Sequence, residues 1–146
     1  MFKTIGLCVI GSLLGCSSND AACGGSIAGT YMDNETLASA ISPSCPVPAM
    51  ATLGGGMVTV SGAGPDHEVG IPGIQGPCPA TSNGCSLNMQ CTINIMSSSG
   101  HPAGSATFST DWAFTTTGFS GSSTLAVTDS SGNTCTFHFS DMATKQ

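Results

Sequence analysis

Asp66-His67-Glu68 is the densest run of titratable side chains in the chain. Its chemistry would be metal binding, with carboxylates suited to calcium and the imidazole to a transition metal. Adjacent residues rarely converge on one ion, and no second ligand group lies close in sequence, so the run reads as a solvated loop. His67, His101 and His138 would form a zinc site only if the fold gathered them. His138 falls on the outward side of an expected strand and His101 sits beside Pro102 in a hairpin loop, which makes them scattered surface histidines. Gly118-Phe119-Ser120-Gly121 misses the G-x-S-x-G spacing of a nucleophile elbow, and no helix follows it. Met142, not Ser, stands three residues before Lys145, which removes Ser-Lys chemistry. Gly54-Gly55-Gly56 lacks the Lys and the helix of a phosphate loop. No nucleophile, base and acid assemble into a set. The expectation is a protein that is not an enzyme, with no cofactor and no metal.

The start of the chain carries a different kind of information. Lys3 precedes the apolar run Ile5-Gly6-Leu7-Cys8-Val9-Ile10, and Leu13-Leu14-Gly15-Cys16 closes the segment. A positive end, a short apolar core and a small residue before the cut are the parts of an export signal. The stretch from Ile5 to Leu14 is too short to cross a ~30 Å hydrocarbon layer as a helix. With Cys16 directly after Gly15, the segment resembles the lipobox of bacterial lipoproteins. That resemblance covers the precursor region only. It implies cleavage before Cys16, a diacylglycerol on the thiol and an acyl chain such as palmitate on the new amino group. More than one buried chain gives stable anchoring, at ~0.8 kcal/mol per methylene. Ser17 stands where an inner-membrane retention signal of that family carries Asp, so the resemblance favours the outer membrane. The expected organisation is a signal peptide over 1–15, a lipidated tether over 16–22 and a single β domain over 23–146.

Of the eight cysteines, Cys8 leaves with the signal and Cys16 takes the lipid. Cys23, Cys45, Cys78, Cys85, Cys91 and Cys135 remain, an even set that reads as a disulfide framework in an exported chain. The spacings do not match the close C-x₂₋₄-C pairs of zinc sites. Cys85 and Cys91 flank an expected strand, and six extended residues at ~3.3 Å each hold them too far apart to join. Cys78 and Cys85 bracket Pro79-Ala80-Thr81-Ser82-Asn83-Gly84, read as a turn-rich loop that brings them together. Cys91 and Cys135 both fall on apolar strand faces, and Cys23 with Cys45 completes the set. The expected pairs are therefore Cys23–Cys45, Cys78–Cys85 and Cys91–Cys135.

Charge excludes one class of partner. The chain has eight Asp and Glu against two Lys and no Arg, for a net charge of −6. Beyond the signal only Lys145 remains. Binding nucleic acid requires cations that displace condensed counterions from phosphates, and this chain has none to offer. Anionic lipid headgroups are excluded for the same reason, which leaves the acyl chains on Cys16 as the membrane contact.

The elements that position these residues read as strands. Ser26 to Asp33 is a first strand candidate with Ile27, Gly29 and Tyr31 on one face, while Glu35 to Ile41 also suits a short helix. Met57 to Val60 is a short strand. Gly62 to Gly84, rich in Gly and Pro, reads as one long loop. From Ser86 to Met96 the apolar residues Leu87, Met89, Cys91, Ile93 and Ile95 alternate with polar ones, the period of a half-buried strand. Phe108, Trp112 and Phe114 share a face of the next strand, and Leu125 and Val127 mark a third. After the turn Asp129-Ser130-Ser131-Gly132, a fourth strand carries Cys135, Phe137 and Phe139 on one face with His138 outside. The fold expected is all-β: an antiparallel meander closing into a small barrel or a sandwich, stapled by about three disulfides.

Gly29-Thr30-Tyr31 resembles the G-x-W opening of lipocalins, with Tyr in place of Trp and Lys145 in place of the late Arg that stacks on it. That resemblance implies a barrel enclosing an apolar ligand. Phe108, Trp112, Phe114, Phe137 and Phe139 would then line a cavity. Two functions are therefore expected. The first is an envelope lipoprotein with a structural or adhesive role, and the second is a lipocalin-like carrier of a small hydrophobic ligand.

Overall fold

The computed structural model describes residues 23–40, 55–96, 100 and 102–146. The expectations for the leader, the tether, Cys16, Cys45 and His101 lie outside the described residues. Eight antiparallel strands run in chain order: β1 (Gly29–Ala40), β2 (Gly56–Ala63), β3 (Asp66–Gly70), β4 (Cys78–Asn83), β5 (Ser86–Met96), β6 (Pro102–Phe114), β7 (Gly118–Asp129) and β8 (Thr134–Lys145). Each pairs with the next, and β1 pairs with β8, so the sheet closes into a barrel rather than a sandwich. Closure removes both sheet edges, where unpaired backbone groups would otherwise stand open.

Period-two alternation sends the apolar residues inward. Tyr31, Val58, Val60, Val69, Leu87, Met89, Trp112, Phe114 and Phe119 pack as one core cluster. Ala106, Leu125, Phe137 and Phe139 form a second. The outward faces of β5 to β8 carry Asn88, Gln90, Thr92, Asn94, Ser109, Ser122, Thr124 and Ser140, among others. A barrel embedded in lipid shows the reverse, an apolar outer band. The outer face of β5 to β8 is mostly polar, with Met96 and Met142 exposed among these residues.

Two element expectations change. β1 continues through the stretch that also suited a helix, because its Asp33–Ala40 segment ladders onto β8 from Phe137 to Ala143. The long loop expected from Gly62 to Gly84 contains β3 and β4. Both are short and flanked by Gly and Pro, which hid their alternation. β2, β3 and β4 span only eight, five and six residues, against 11 to 13 in the other five strands. The barrel wall is therefore low on that side, and Ile71 and Ile74 of the β3–β4 connection pack there against the core.

The disulfide pairs differ from expectation. Cys23 bonds Cys85, with Cα atoms 5.1 Å apart, and Cys78 bonds Cys91, with Cα atoms 5.4 Å apart. Cys135 is also disulfide-bonded. β4 is the reason that Cys78–Cys85 fails, since its six extended residues carry the chain roughly 17 Å from Cys78 before the turn that holds Cys85. β4 and β5 are joined by a two-residue turn, Gly84-Cys85, between the paired Asn83 and Ser86. The same register, continued from Ala80↔Met89, sets Cys78 opposite Cys91. Cys91 and Cys135 do face inward, but β6 and β7 stand between their strands. Cys23 is taken by Cys85, which rules out its pairing with Cys45.

The chain before β1 covers one end of the barrel. Ile27 is buried beneath it, and the Tyr31 hydroxyl donates to the Ile27 carbonyl at 2.6 Å. Lys145 Nζ lies 5.7 Å from the centre of the Tyr31 ring and donates to the Ser26 carbonyl at 2.8 Å. One ammonium thus joins the end of β8 to the segment that enters β1. Replacing it by Lys145→Met removes a charged hydrogen bond and a cation–π contact, and should cost about 1–2 kcal/mol. Urea unfolding measures this; an unchanged midpoint would mean that the cap holds without it.

Candidate functional site

Alternation splits the Asp66-His67-Glu68 run. Asp66 and Glu68 point to solvent, whereas His67 is buried inside the barrel. The run is strand rather than solvated loop, because it ladders onto β2 and β4. His67 Nδ1 lies 3.2 Å from the Ser61 carbonyl and Nε2 lies 2.9 Å from the Gly64 carbonyl, so the imidazole braces the β2–β3 turn. Ser82 Oγ is 3.1 Å from Nε2, but it donates to the Gly64 carbonyl at 3.0 Å, so its proton is already committed. Among the described residues no carboxylate bonds to the imidazole to orient this pair. His138 stays outside, with Nδ1 3.1 Å from Thr124 Oγ1. Among the described residues, no three His, Cys, Asp or Glu are placed to hold a metal.

The polar centre of the barrel lies elsewhere. With Tyr31 inward, period two also turns Asp33 and Glu35 inward from β1, and with Phe137 and Phe139 inward it turns Asp141 inward from β8. Glu35 and Asp141 are direct cross-strand partners, a placement that is unfavourable for like charges. The row continues across the sheet from Asp141 to Gly121 to Trp112. Gly121 has no side chain, and the indole reaches over it: Trp112 Nε1 donates to Asp141 Oδ2 at 2.7 Å. Ser123 Oγ donates to the same oxygen. Trp112 also stacks on Phe119, with ring centres 4.3 Å apart, which fixes the plane of its N–H.

Two of these carboxyl groups are strongly perturbed. Burial pushes Asp33 from the usual 3.8 up to about 6, and Asp141 adds to the rise, while backbone N–H groups of Asn34 and Met142 work against it. Burial likewise raises Glu35 from 4.5 to about 7, with Asp141 and Asp33 contributing. Neighbouring negative charge and lost hydration act in the same direction. Among the described residues no cation opposes them, because Lys145 is held at the capped end on Tyr31 and Ser26. Asp33 Oδ1, Asp141 Oδ1 and Thr110 Oγ1 are buried without a hydrogen-bond partner among the described residues.

Asp33 and Glu35 border a cavity of about 50 Å³, lined also by Val58, Phe108, Trp112 and Leu125 and by Ile71, Pro72 and Ile74 of the β3–β4 connection. Of the five aromatics expected to line a cavity, Phe108 and Trp112 do so. Phe114 instead packs on Tyr31 and Phe119 in the capped end, and Phe137 and Phe139 fill the second core cluster. Aromatic faces of a narrow barrel meet one another before they leave a void. The acids of the cavity wall, Asp33 and Glu35, and their neighbour Asp141 had a signal in the sequence: each lies two or four residues from an aromatic side chain that the strand turns inward.

Comparison with protein-family models, curated proteins and solved structures finds no match for this chain. Its chemistry has to be argued from its own geometry.

Proposed function

We propose that this chain is an exported lipoprotein, anchored in the outer membrane through acylated Cys16, whose barrel is a carrier for a small ligand and not an enzyme. The observation behind the carrier reading is Asp33, beside Glu35 on the wall of a cavity that is apolar apart from these two, 7% exposed and with an unpartnered carboxyl oxygen among the described residues. Leaving a buried carboxyl oxygen without a donor is costly, and a purely structural or adhesive module gains nothing from it. Convergent polar groups with perturbed titration inside an apolar pocket are the usual mark of a binding site. The capped end supports the same reading. Lys145 over Tyr31 and bonded to the Ser26 carbonyl closes the end away from the acids, which is compatible with a ligand entering elsewhere.

The size of the cavity limits what it takes. About 50 Å³ seats the head group of a ligand, whose remainder would pass between Ile71, Pro72 and Ile74. The anchor holds the barrel close to the membrane and leaves its polar exterior in water.

Mass spectrometry of the protein from membranes tests the anchor. The expected mature chain begins at Cys16 with acyl mass on that residue, and Cys16→Ala moves the protein out of the membrane fraction. An unmodified Cys16 in the mature chain would overturn the anchor. For the carrier, Trp112 is the only tryptophan, so its emission reports the cavity directly. A panel of six-carbon neutral and charged compounds should shift that emission saturably; no response to any of them would overturn the carrier.

A further inference from the structure

We propose that the interior site recognises an organic ammonium, a small apolar body bearing one positive nitrogen, held by Asp33 and Glu35 with Asp141 behind them. The inference rests on the carrier reading and names the ligand class of that same cavity.

Three observations carry it. The first is the arrangement of acids. Glu35 and Asp141 are paired across β1 and β8, and Asp33 lies two residues before Glu35 on the same inner face, so three carboxyl groups converge on one region of the barrel. The second is their hydrogen bonding. Asp141 has its Oδ2 saturated by Trp112 and Ser123, yet among the described residues its Oδ1 and Asp33 Oδ1 are both buried and unpartnered. Both atoms are acceptors, so the missing partner is a donor. The third is the wall. Apart from Asp33 and Glu35, the cavity is lined by apolar and aromatic side chains, including Phe108 and Trp112. A bare metal cation would find too few oxygens there to replace its hydration shell, whereas an ammonium offers up to three donors to the acids and an alkyl group to the wall.

Among the described residues no cation meets these acids. It has no arginine, and its one lysine beyond the leader is committed at the capped end. Phe108 and Trp112 on the same wall offer rings to a cation, since ring quadrupoles favour positive charge. A carboxylate ligand would meet repulsion, and a neutral alcohol would satisfy one acceptor without offsetting charge.

The test uses the full-length protein in detergent and three ligands of equal length: n-hexylammonium, 1-hexanol and hexanoate. Trp112 emission and calorimetry give the affinities at pH 8. We expect hexylammonium to bind at least tenfold more tightly than hexanol, and hexanoate not to bind. In the Asp33→Asn/Glu35→Gln variant the ammonium and the alcohol should bind alike. Circular dichroism checks that this variant is folded, and removing buried charge favours folding. Equal affinity for hexylammonium and hexanol in the unmodified protein would overturn the cationic ligand while leaving the carrier standing. Failure of all three to bind would overturn both.

Discussion

Removing the Cys23–Cys85 bridge with a double alanine substitution lowers the unfolding free energy by about 4 kcal/mol, and removing Cys78–Cys91 lowers it by about 3 kcal/mol. The order follows from the loops that the bonds close in the unfolded chain. Cys23 and Cys85 are 62 residues apart, and Cys78 and Cys91 only 13. In the chain-entropy account the longer loop loses more freedom when cross-linked. The native state adds a reason. Cys78 and Cys91 join two strands that the β4–β5 ladder already aligns, whereas Cys23 pins the segment that covers Ile27 and Tyr31. Loss of the longer bridge therefore frees the cap as well. Urea denaturation of the two variants under identical non-reducing conditions decides the matter, and a larger loss in the Cys78→Ala/Cys91→Ala variant would refute the argument.

Stability should fall as pH rises from about 4 to about 8. Asp33 rises from 3.8 to about 6 and Glu35 from 4.5 to about 7 in the folded barrel. Between the unfolded and folded values the native state holds more protons than the unfolded chain, so each step up in pH favours unfolding. Below about pH 4 both carboxyl groups are protonated in both states and the native barrel carries no penalty from them. Above about pH 7 both are ionised, and the full cost of two buried negative charges is present. One pKa unit is worth about 1.4 kcal/mol. The two acids share their repulsion and border an opening, so their combined effect is on the order of 3 kcal/mol rather than the sum of two isolated shifts. Asp129 acts in the opposite sense. Hydrogen bonds from Asn133 hold its carboxyl below the usual range, so its contribution fades only as pH falls below that range, outside the window. Asp33→Asn with Glu35→Gln should flatten the profile and raise stability at pH 8, because the amide introduced in place of the Asp33 carboxylate keeps an oxygen that accepts from backbone N–H groups. Denaturation midpoints at pH 4.5, 6 and 8 measure it. A midpoint that rises with pH would show these groups to be solvated.

Much of this arrangement could be read from the chain. The alternation of Leu87, Met89, Cys91, Ile93 and Ile95, and of Cys135, Phe137 and Phe139, identified long strands and their inner faces. What it did not supply was the use of the same parity for polar residues. Tyr31 inward implies Asp33 and Glu35 inward, and Phe139 inward implies Asp141 inward, but a carboxylate in a strand is ordinarily assigned to water. The disulfides were missed for a related reason. Read as the start of a two-residue hairpin rather than as loop, Gly84-Cys85 aligns Cys78 with Cys91 across the ladder. Pro79 obscured the strand, although β4 tolerates it at its second residue.

By itself, the order of residues determined an all-β chain with an inward aromatic face, a deficit of cations and an even number of cysteines. These are local or compositional properties, and period-two alternation acts within each strand. Only the tertiary structure decided that β1 meets β8, and hence that the sheet closes. That one contact sets Glu35 against Asp141 and carries Lys145 onto Tyr31, while the β6–β7 and β7–β8 registers bring Trp112 across Gly121 to Asp141. Each pair is distant in sequence, so no local pattern records it. Their approach is set by strand register around a closed ring, a property of the whole barrel.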